Sequence, residues 1–271
     1  MNKIGIMQGR IYPARVDKLQ VFPSNHWKNE FYEAKKLGFD YIELLYDVGV
    51  DKFNPLGSSK NLNKILETVN SSQLELHSIC ADYFTMHNLL STSDKESWKK
   101  LAHLIDCAQK LSISEIIIPF FDRNILNKTM DLEKFLYLAN DEIEKAYNNG
   151  ICLCIETTLK ANNLLSIFKK TCTKAKICYD LGNAVAMGYK TDKEIELICD
   201  YIDLIHIKDR KKNGGANVLI GEGDVDFTLA FSTLKKIGYK GNFTLETAIG
   251  NNPRENAKKH IDKIKKLMDS L

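Results

Sequence analysis

Four short apolar runs in the second half of the chain each end in a side chain that can bind a metal. The runs are ICLCIE, AKICYD, YIDLIH and NFTLE, and they end at Glu156, Asp180, His206 and Glu246. Each run has the length and composition of a buried β-strand. A single acid at a strand end usually caps a helix or faces solvent. Three carboxylates and one imidazole on four successive strands instead predict one metal site.

This donor set limits the choice of metal. Carboxylate oxygens and an imidazole nitrogen suit Mn²⁺, Mg²⁺, Co²⁺ or Zn²⁺, depending on the geometry. The oxygen ligands favour Mn²⁺ or Mg²⁺, whereas the histidine leaves Co²⁺ and Zn²⁺ open. We therefore expect one divalent metal ion as the cofactor.

Alternating strands and helices must bring these residues together. Strands are predicted at 4–9, 41–46, 74–81, 115–120, 151–156, 176–180, 203–207 and 242–246. Helices are predicted at 27–38, 62–70, 93–111, 131–150, 164–171, 192–200, 226–238 and 253–271, the third opening with a Ser93-x-x-Glu96 capping box. Eight such units over 271 residues predict an α/β protein with a parallel (β/α)8 TIM barrel. The strand carboxyl ends would then converge at one mouth.

Composition and charge agree with a single globular domain. Hydrophobic residues make up 44% of the chain and charged residues 27%. The sequence shows no linker and no GxGxxG after the first strand, so residues 1–271 are expected to form one barrel without a dinucleotide site. Lys+Arg 38 against Asp+Glu 35 gives a net charge of +3, which does not suggest nucleic-acid binding.

Apolar runs and cysteines indicate the compartment. The opening MNKIGIMQGR does not look like a signal peptide, and no run is long enough to predict a membrane span. The seven cysteines are odd in number and several lie in apolar runs, so we expect reduced cysteines in a cytoplasmic protein. Cys152-x-Cys154 is not expected to bind metal, because two such side chains in a strand merely share a face.

The strand ends also resemble a known family. Together with the alternation of strands and helices, these ends are similar to those of the xylose isomerase-like superfamily. They read IETT, YDLGNA, IHIKD and LETA. GIMQGR and SICADYF resemble its bacterial sugar-phosphate isomerase/epimerase-like subgroup. The resemblance covers nearly the whole chain and implies that Glu156, Asp180, His206 and Glu246 are the ligands. It also implies that Glu156 and Glu246 are the acid/base pair, that the partner is a small-molecule sugar or sugar phosphate, and that homo-oligomers are common.

The chemistry implied is proton transfer beside a carbonyl. A divalent ion that chelates a ketose carbonyl and the adjacent hydroxyl acts as a Lewis acid and stabilises the enediolate. If one carboxylate removes the proton and another delivers one to the opposite face, the stereocentre is inverted. Return of the proton to the neighbouring carbon gives aldose–ketose isomerisation instead. The predicted function is therefore a metal-dependent sugar or sugar-phosphate epimerase or isomerase.

Three substrate-binding candidates follow from position. Lys208 lies two residues beyond His206 and in a strand points the same way, toward a substrate oxygen or phosphate. Arg210 belongs to the basic, glycine-containing stretch 208–227, and barrel enzymes often bind phosphate with this loop. Asp82 follows the third strand and is expected to line the mouth.

Three further candidates are Gln8, Asn162 and Asn183. Asn183 stands where a histidine is frequent in the resembling families, so it is expected to bind substrate rather than metal. Asn162 stands where ketose 3-epimerases carry a substrate-binding glutamate, which predicts a different grip on the substrate. Gln8 follows the first strand, and it or Arg10 is also expected to join Glu43 in a buried ion pair or polar network.

Other functions stay open on the same scaffold. A dehydratase of a cyclic or sugar-like ketone would expel a β-hydroxyl from the enolate. A barrel without activity would bind a sugar as a regulator. A nuclease like endonuclease IV is disfavoured, because it needs three zinc ions and several histidines that the motifs here lack.

Overall fold

Eight parallel strands close into a barrel in the computed structural model, which describes residues 2–13, 20–48 and 53–270. Each strand pairs with the next along the chain, and the last pairs with the first. The strands are β1 Ile4–Met7, β2 Tyr41–Leu45, β3 Glu75–Cys80, β4 Glu115–Pro119, β5 Cys152–Glu156, β6 Lys176–Asp180, β7 Ile202–Ile207 and β8 Asn242–Leu245. The predicted (β/α)8 TIM barrel is confirmed.

Helices cover the outside of this barrel. They are α1 Trp27–Leu37, α2 Leu62–Ser72, α3 Lys95–Leu111, α4 Thr129–Leu138, α5 Asn140–Asn148, α6 Ala161–Thr171, α7 Leu181–Ala186, α8 Thr191–Ile198, α9 Phe227–Lys236 and α10 Pro253–Ser270. Leu271, which the predicted last helix included, lies outside the described residues. Among the described helices, none has the length and apolar character needed to cross a membrane.

The structure differs from the predicted elements in three respects. The helix predicted at 131–150 is two helices that meet at the fully buried Ala139, whose ψ of 7° is not helical. The short helix α7 and a small hairpin of Asp209–Arg210 with Asn217–Val218 were not predicted.

The start of α3 is the third correction. Asp94, not Ser93, caps this helix, and its Oδ1 accepts a hydrogen bond from the Ser97 backbone nitrogen at 3.1 Å. The helix begins at Lys95, so Ser93 is one residue too early to act as the cap.

The core of the described residues consists of one large cluster and two small ones. The large cluster fills the space between the sheet and the helices. A small apolar layer inside the barrel is formed by Ile117, Cys154, Cys178 and Leu204. Three members of the layer, Cys154, Cys178 and Leu204, stand two residues before predicted ligands on the same strands, so the layer lies next to the mouth.

Candidate metal centre at the barrel mouth

Strand register brings the four predicted ligands to one level. Asp180 pairs with His206 across β6 and β7. The backbone nitrogen of Glu246 donates to the carbonyl of Ile207 at 3.0 Å, immediately after β8. Glu156 ends β5. Because parallel strands in a barrel share their carboxyl end, these side chains meet at the mouth.

The four side chains form a compact, buried donor cluster. One ligand atom from each of Glu156, Asp180, His206 and Glu246 lies within 4.8 Å of the others. His206 Nδ1 is 2.9 Å from Glu246 Oε2 and 3.7 Å from Glu156 Oε2. All four side chains are at most 5% exposed. A cluster of this size has the dimensions of a coordination shell.

Two atoms of the cluster support a cation at its centre. Within the described residues, the buried His206 Nδ1 and Asp180 Oδ2 make no hydrogen bond of normal geometry, although Glu246 Oε2 lies 2.9 Å from the first and Lys208 Nζ lies 3.1 Å from the second. Buried polar atoms are normally paired, and an unpaired one needs an explanation. A divalent ion would pair both atoms, and three carboxylates with one imidazole suit such an ion. That these residues bind a metal remains a prediction.

Glu43 contacts the His206 ring at Nε2, the nitrogen that does not face the donor cluster. Its Oε1 lies 3.1 Å from His206 Nε2, and its Oε2 accepts from Ser78 Oγ at 2.6 Å and from Thr244 Oγ1 at 3.2 Å. Glu43 is fully buried. When Nε2 carries the proton and donates it to Glu43, Nδ1 is left as the free lone pair that faces the cluster.

The two glutamates predicted as the acid/base pair have opposite electrostatic settings. Burial raises the pKa of Glu156 to about 7, and the neighbouring charges of Glu246 and Asp180 add to this, against the opposing effect of His206. Burial also works to raise the pKa of Glu246, but Lys208, His206 and Arg10 outweigh it and hold the pKa below its usual value. Glu246 is thus ionised at neutral pH, while Glu156 readily carries a proton.

Lys208 lies among the carboxylates and not at the rim. Its Nζ is 2.7 Å from Glu246 Oε1 and 3.1 Å from Asp180 Oδ2. Burial works to lower its pKa, but these carboxylates raise it above the usual value. The neighbouring Asp209 instead accepts hydrogen bonds from the backbone nitrogens of Gly221 and Gly223 and so shapes the loop.

Asn183 connects the cluster to Arg210. Its backbone nitrogen donates to Asp180 Oδ1 at 2.6 Å, and its Nδ2 donates to Glu156 Oε1 at 3.2 Å. Arg210 Nη1 donates to Asn183 Oδ1 at 2.8 Å, while Nε and Nη2 donate to the carbonyl of Gly215. Asn183 therefore orients Glu156, and Arg210 is fixed at the edge of the mouth.

A cavity of about 300 Å³ opens directly above the cluster. Its polar lining includes Asp82, Glu156, Asn183, Lys208, Arg210 and Glu246. Burial raises the pKa of Asp82 to about 7, with a further contribution from the charge of Glu246. The structure thus places four of the six predicted substrate-binding residues around one cavity, next to both catalytic candidates.

The other two substrate-binding candidates lie elsewhere. Gln8 is 1% exposed, and its Oε1 accepts from the backbone nitrogen of Leu45, so it braces the sheet and does not line the cavity. Asn162 is exposed in the first turn of α6, away from the lining residues. Asn162 lies outside the cavity lining because it is six residues beyond the end of β5, where the chain has already entered α6.

The segment after β1 supplies two residues that the sequence did not assign to the site. Gln20 lines the cavity, and its Nε2 donates to Glu246 Oε1 at 2.9 Å. Arg10 Nη2 hydrogen-bonds Gln20 and lies 3.9 Å from the same oxygen of Glu246. Arg10 thus approaches Glu246, whereas the predicted polar network of Glu43 involves His206, Ser78 and Thr244.

Comparisons with known proteins agree with this fold. A family model described as "xylose isomerase-like TIM barrel" matches residues 31–267. The L-ribulose-5-phosphate 3-epimerase UlaE of Escherichia coli is 26% identical over 246 residues, which cover 81% of each chain. This relative is an epimerase, which is an isomerase and so the predicted enzyme class.

Solved structures share the fold over the full length. D-psicose 3-epimerase of Clostridium cellulolyticum H10, solved with D-tagatose, has a TM-score of 0.73 and 16% identity, covering 98% of this chain and 99% of that chain. A barrel protein of Mycobacterium smegmatis, solved in complex with magnesium, has a TM-score of 0.74 and 16% identity, covering 100% and 97%.

Proposed function

The chain belongs to the xylose isomerase-like TIM barrel family, and we propose that it is a divalent-metal-dependent epimerase of a ketose phosphate. The observation that carries the proposal is the buried cluster of Glu156, Asp180, His206 and Glu246 at the floor of one cavity. The Escherichia coli relative, named an L-ribulose-5-phosphate 3-epimerase, supports a phosphorylated pentulose as the substrate.

The cluster would hold one divalent ion, with Mn²⁺ or Mg²⁺ favoured, which polarises the substrate carbonyl as a Lewis acid when bound. Glu156 and Glu246 stand on β5 and at the end of β8, with β6 and β7 between them around the barrel. They therefore face the cavity from different sides. This arrangement allows one face of the substrate to lose a proton and the opposite face to gain one.

The electrostatic settings assign the two roles. Glu246 is ionised because the cations Lys208 and Arg10 lie beside it, so it removes the proton from the carbon next to the carbonyl. Glu156, whose pKa burial raises to about 7, takes up a proton more readily than Glu246 and delivers it to the other face of the same carbon. The configuration of that carbon is thereby inverted, and the reverse reaction exchanges the roles.

Substrate oxygens and the phosphate have separate partners in this proposal. Asp82, whose pKa is about 7, accepts a hydrogen bond from a sugar hydroxyl when it is ionised and donates one when it is protonated. Arg210 faces the cavity from the loop after β7 and provides positive charge for the phosphate. Lys208 keeps Glu246 ionised and lies within reach of the substrate oxygen nearest the cluster.

The direct test is proton-exchange NMR with L-ribulose 5-phosphate and Mn²⁺ in D2O. We expect its C3 epimer to appear with deuterium at C3, and we expect L-ribulose without phosphate to react more slowly. Deuterium at the neighbouring carbon together with an aldose product would show an isomerase. Loss of water would show a dehydratase, and binding without exchange would show a sugar-binding barrel. Each of these three results overturns the proposed epimerase.

A further inference from the structure

A second donor cluster lies toward the amino-terminal ends of β5 and β7, and one of its residues, Cys154, also belongs to the apolar layer. Cys152 and Cys154 are on β5, and Asp203 is on β7. One donor atom from each lies within 4.8 Å of the other two. Cys154 Sγ is 3.7 Å from Cys152 Sγ and 3.9 Å from Asp203 Oδ2. These three residues are called the base cluster here.

A strand irregularity brings Asp203 to the two thiols. The register between β6 and β7 shifts, so that Ile177 pairs with Ile202 but Cys178 pairs with Leu204. Asp203 is the extra residue on β7 at this bulge, and bulges redirect a side chain. The carboxylate consequently reaches Cys154 on a strand that is not adjacent to β7 in the barrel. A sequence pattern cannot show this contact, because it depends on the register.

Negative charge collects around the base cluster. Glu115 and Asp203 both lie close enough to act electrostatically on the Cys154 thiol. Glu115 is 5% exposed, and one of its oxygens lies 3.1 Å from His77 Nε2. In the described part of the chain the other oxygen, Oε2, has no hydrogen-bond partner. A buried carboxylate oxygen without a partner is costly, and a nearby cation would compensate it.

We propose that Cys152, Cys154 and Asp203 bind a thiophilic divalent cation of the Zn²⁺ class. Two thiolates on a tetrahedral Zn²⁺, at about 2.3 Å each, are about 3.8 Å apart, and the two sulfurs here are separated by 3.7 Å. Both thiols release their protons to solvent when the cation binds. The sulfur ligands select a softer metal than the oxygen-rich cluster at the mouth. The sequence alone predicted no metal at Cys152-x-Cys154, and the proposal differs because Asp203 supplies a third ligand.

Cobalt provides a spectroscopic test, because thiolate–Co²⁺ bonds give a near-ultraviolet charge-transfer band that oxygen and nitrogen ligands do not. The reduced protein, first saturated with Mg²⁺, is titrated with Co²⁺ in the presence of a phosphine reductant. We expect the band to saturate at one cobalt per chain bound through sulfur. We expect Cys152→Ser and Cys154→Ser each to abolish it.

Cys178→Ser is the matched control. Cys178 also lies within ligand distance of Glu156 and His206, so it is the thiol through which the mouth would give the same band. Retention of the band in Cys178→Ser supports the base cluster. Loss of the band in Cys178→Ser alone, or a wild-type protein without any band, overturns the proposal. Should the buried Cys154→Ser variant fail to fold, the half-buried Cys152→Ser variant decides.

Discussion

At the scale of single residues, neighbours determine what each carboxylate does. Glu156 and Glu246 have the same side chain and similar burial, yet their pKa values move in opposite directions. Glu246 lies against the cation of Lys208, whereas Glu156 accepts a hydrogen bond from the neutral amide of Asn183 on its Oε1. The acid and the base are thus distinguished by the charges beside them.

Glu43→Gln tests whether His206 is held by a charged partner. The variant keeps the shape of the side chain but removes the carboxylate that accepts from His206 Nε2. We expect Mn²⁺ affinity, measured by isothermal titration calorimetry, to fall by about 10–100-fold. Glu67→Gln, an exposed change on α2, is the matched control and should leave the affinity unchanged. Equal affinity in both variants would remove Glu43 from the account of the metal centre.

Lys208→Met tests the electrostatic assignment of Glu246. Without this cation the pKa of Glu246 should rise, so the carboxylate is protonated at a higher pH. Because the base works only when it is ionised, the acid limb of the kcat/KM profile should move to higher pH. Lys211→Met, an exposed change in the same loop, should leave the limb in place. An acid limb that does not move in Lys208→Met would contradict the assignment.

The sequence predicted those site residues that stand at strand ends. Glu156, Asp180, His206 and Glu246 are visible because each terminates an apolar run. Gln20 is not visible in this way, because it comes from a loop 226 positions away from Glu246. Only closure of the barrel between β1 and β8 brings the two together.

At the scale of elements, the hydrophobic pattern predicted the existence of each barrel strand and of its covering helix. The pattern did not show the break at Ala139, because apolar spacing continues from Phe135 through Ile143 although the backbone bends. It also did not show the bulge at Asp203. Both features depend on packing between elements, which a local period does not contain.

The cap of α3 gives a prediction at this scale. Asp94→Ala removes the side chain that accepts from the Ser97 backbone nitrogen, and such losses cost about 1 kcal/mol. Ser93→Ala should cost much less, because Ser93 lies before the cap. Urea unfolding followed by circular dichroism measures both variants. A larger loss of stability in Ser93→Ala would restore the capping box predicted from the sequence.

At the scale of the whole molecule, the last helix, α10, contacts the loops after β7 and β8 at the mouth of the barrel. His260 of α10 is 4% exposed and accepts from the backbone nitrogen of Ile220, in the loop after β7, at 3.3 Å. Its Nδ1 lies 3.0 Å from Thr247 Oγ1, just after β8. This histidine therefore connects the end of the chain with both loops that border the candidate active site.

His260 should make the fold sensitive to acid. Burial lowers its pKa to about 4, helped by Lys263 and opposed by Asp209. Below the pKa of about 6.5 of an unfolded histidine, the unfolded chain takes up a proton that the folded one does not. The contribution of the neutral His260 to the free energy of unfolding is therefore fully present above pH 6.5 and is lost toward pH 4. The loss is on the order of 2 kcal/mol between pH 7 and 5.

Unfolding free energies at both pH values, for wild type and His260→Asn, measure this contribution. The variant should lose less stability on acidification than wild type, whereas His26→Asn, at an exposed position, should behave like wild type. Identical pH dependence in His260→Asn and wild type would show that His260 is not the titrating group.

The central claim is that two opposed glutamates move the proton at a metal-dependent centre. The most direct measurement is the rate of C3 inversion of L-ribulose 5-phosphate in D2O for Mn²⁺-loaded wild type, Glu156→Gln and Glu246→Gln, with Glu67→Gln as the control. We predict inversion with deuterium incorporation in wild type and the control. We also predict a loss of at least about 100-fold in each of the other variants, which stay folded. Inversion at the wild-type rate in either Glu156→Gln or Glu246→Gln would contradict the account.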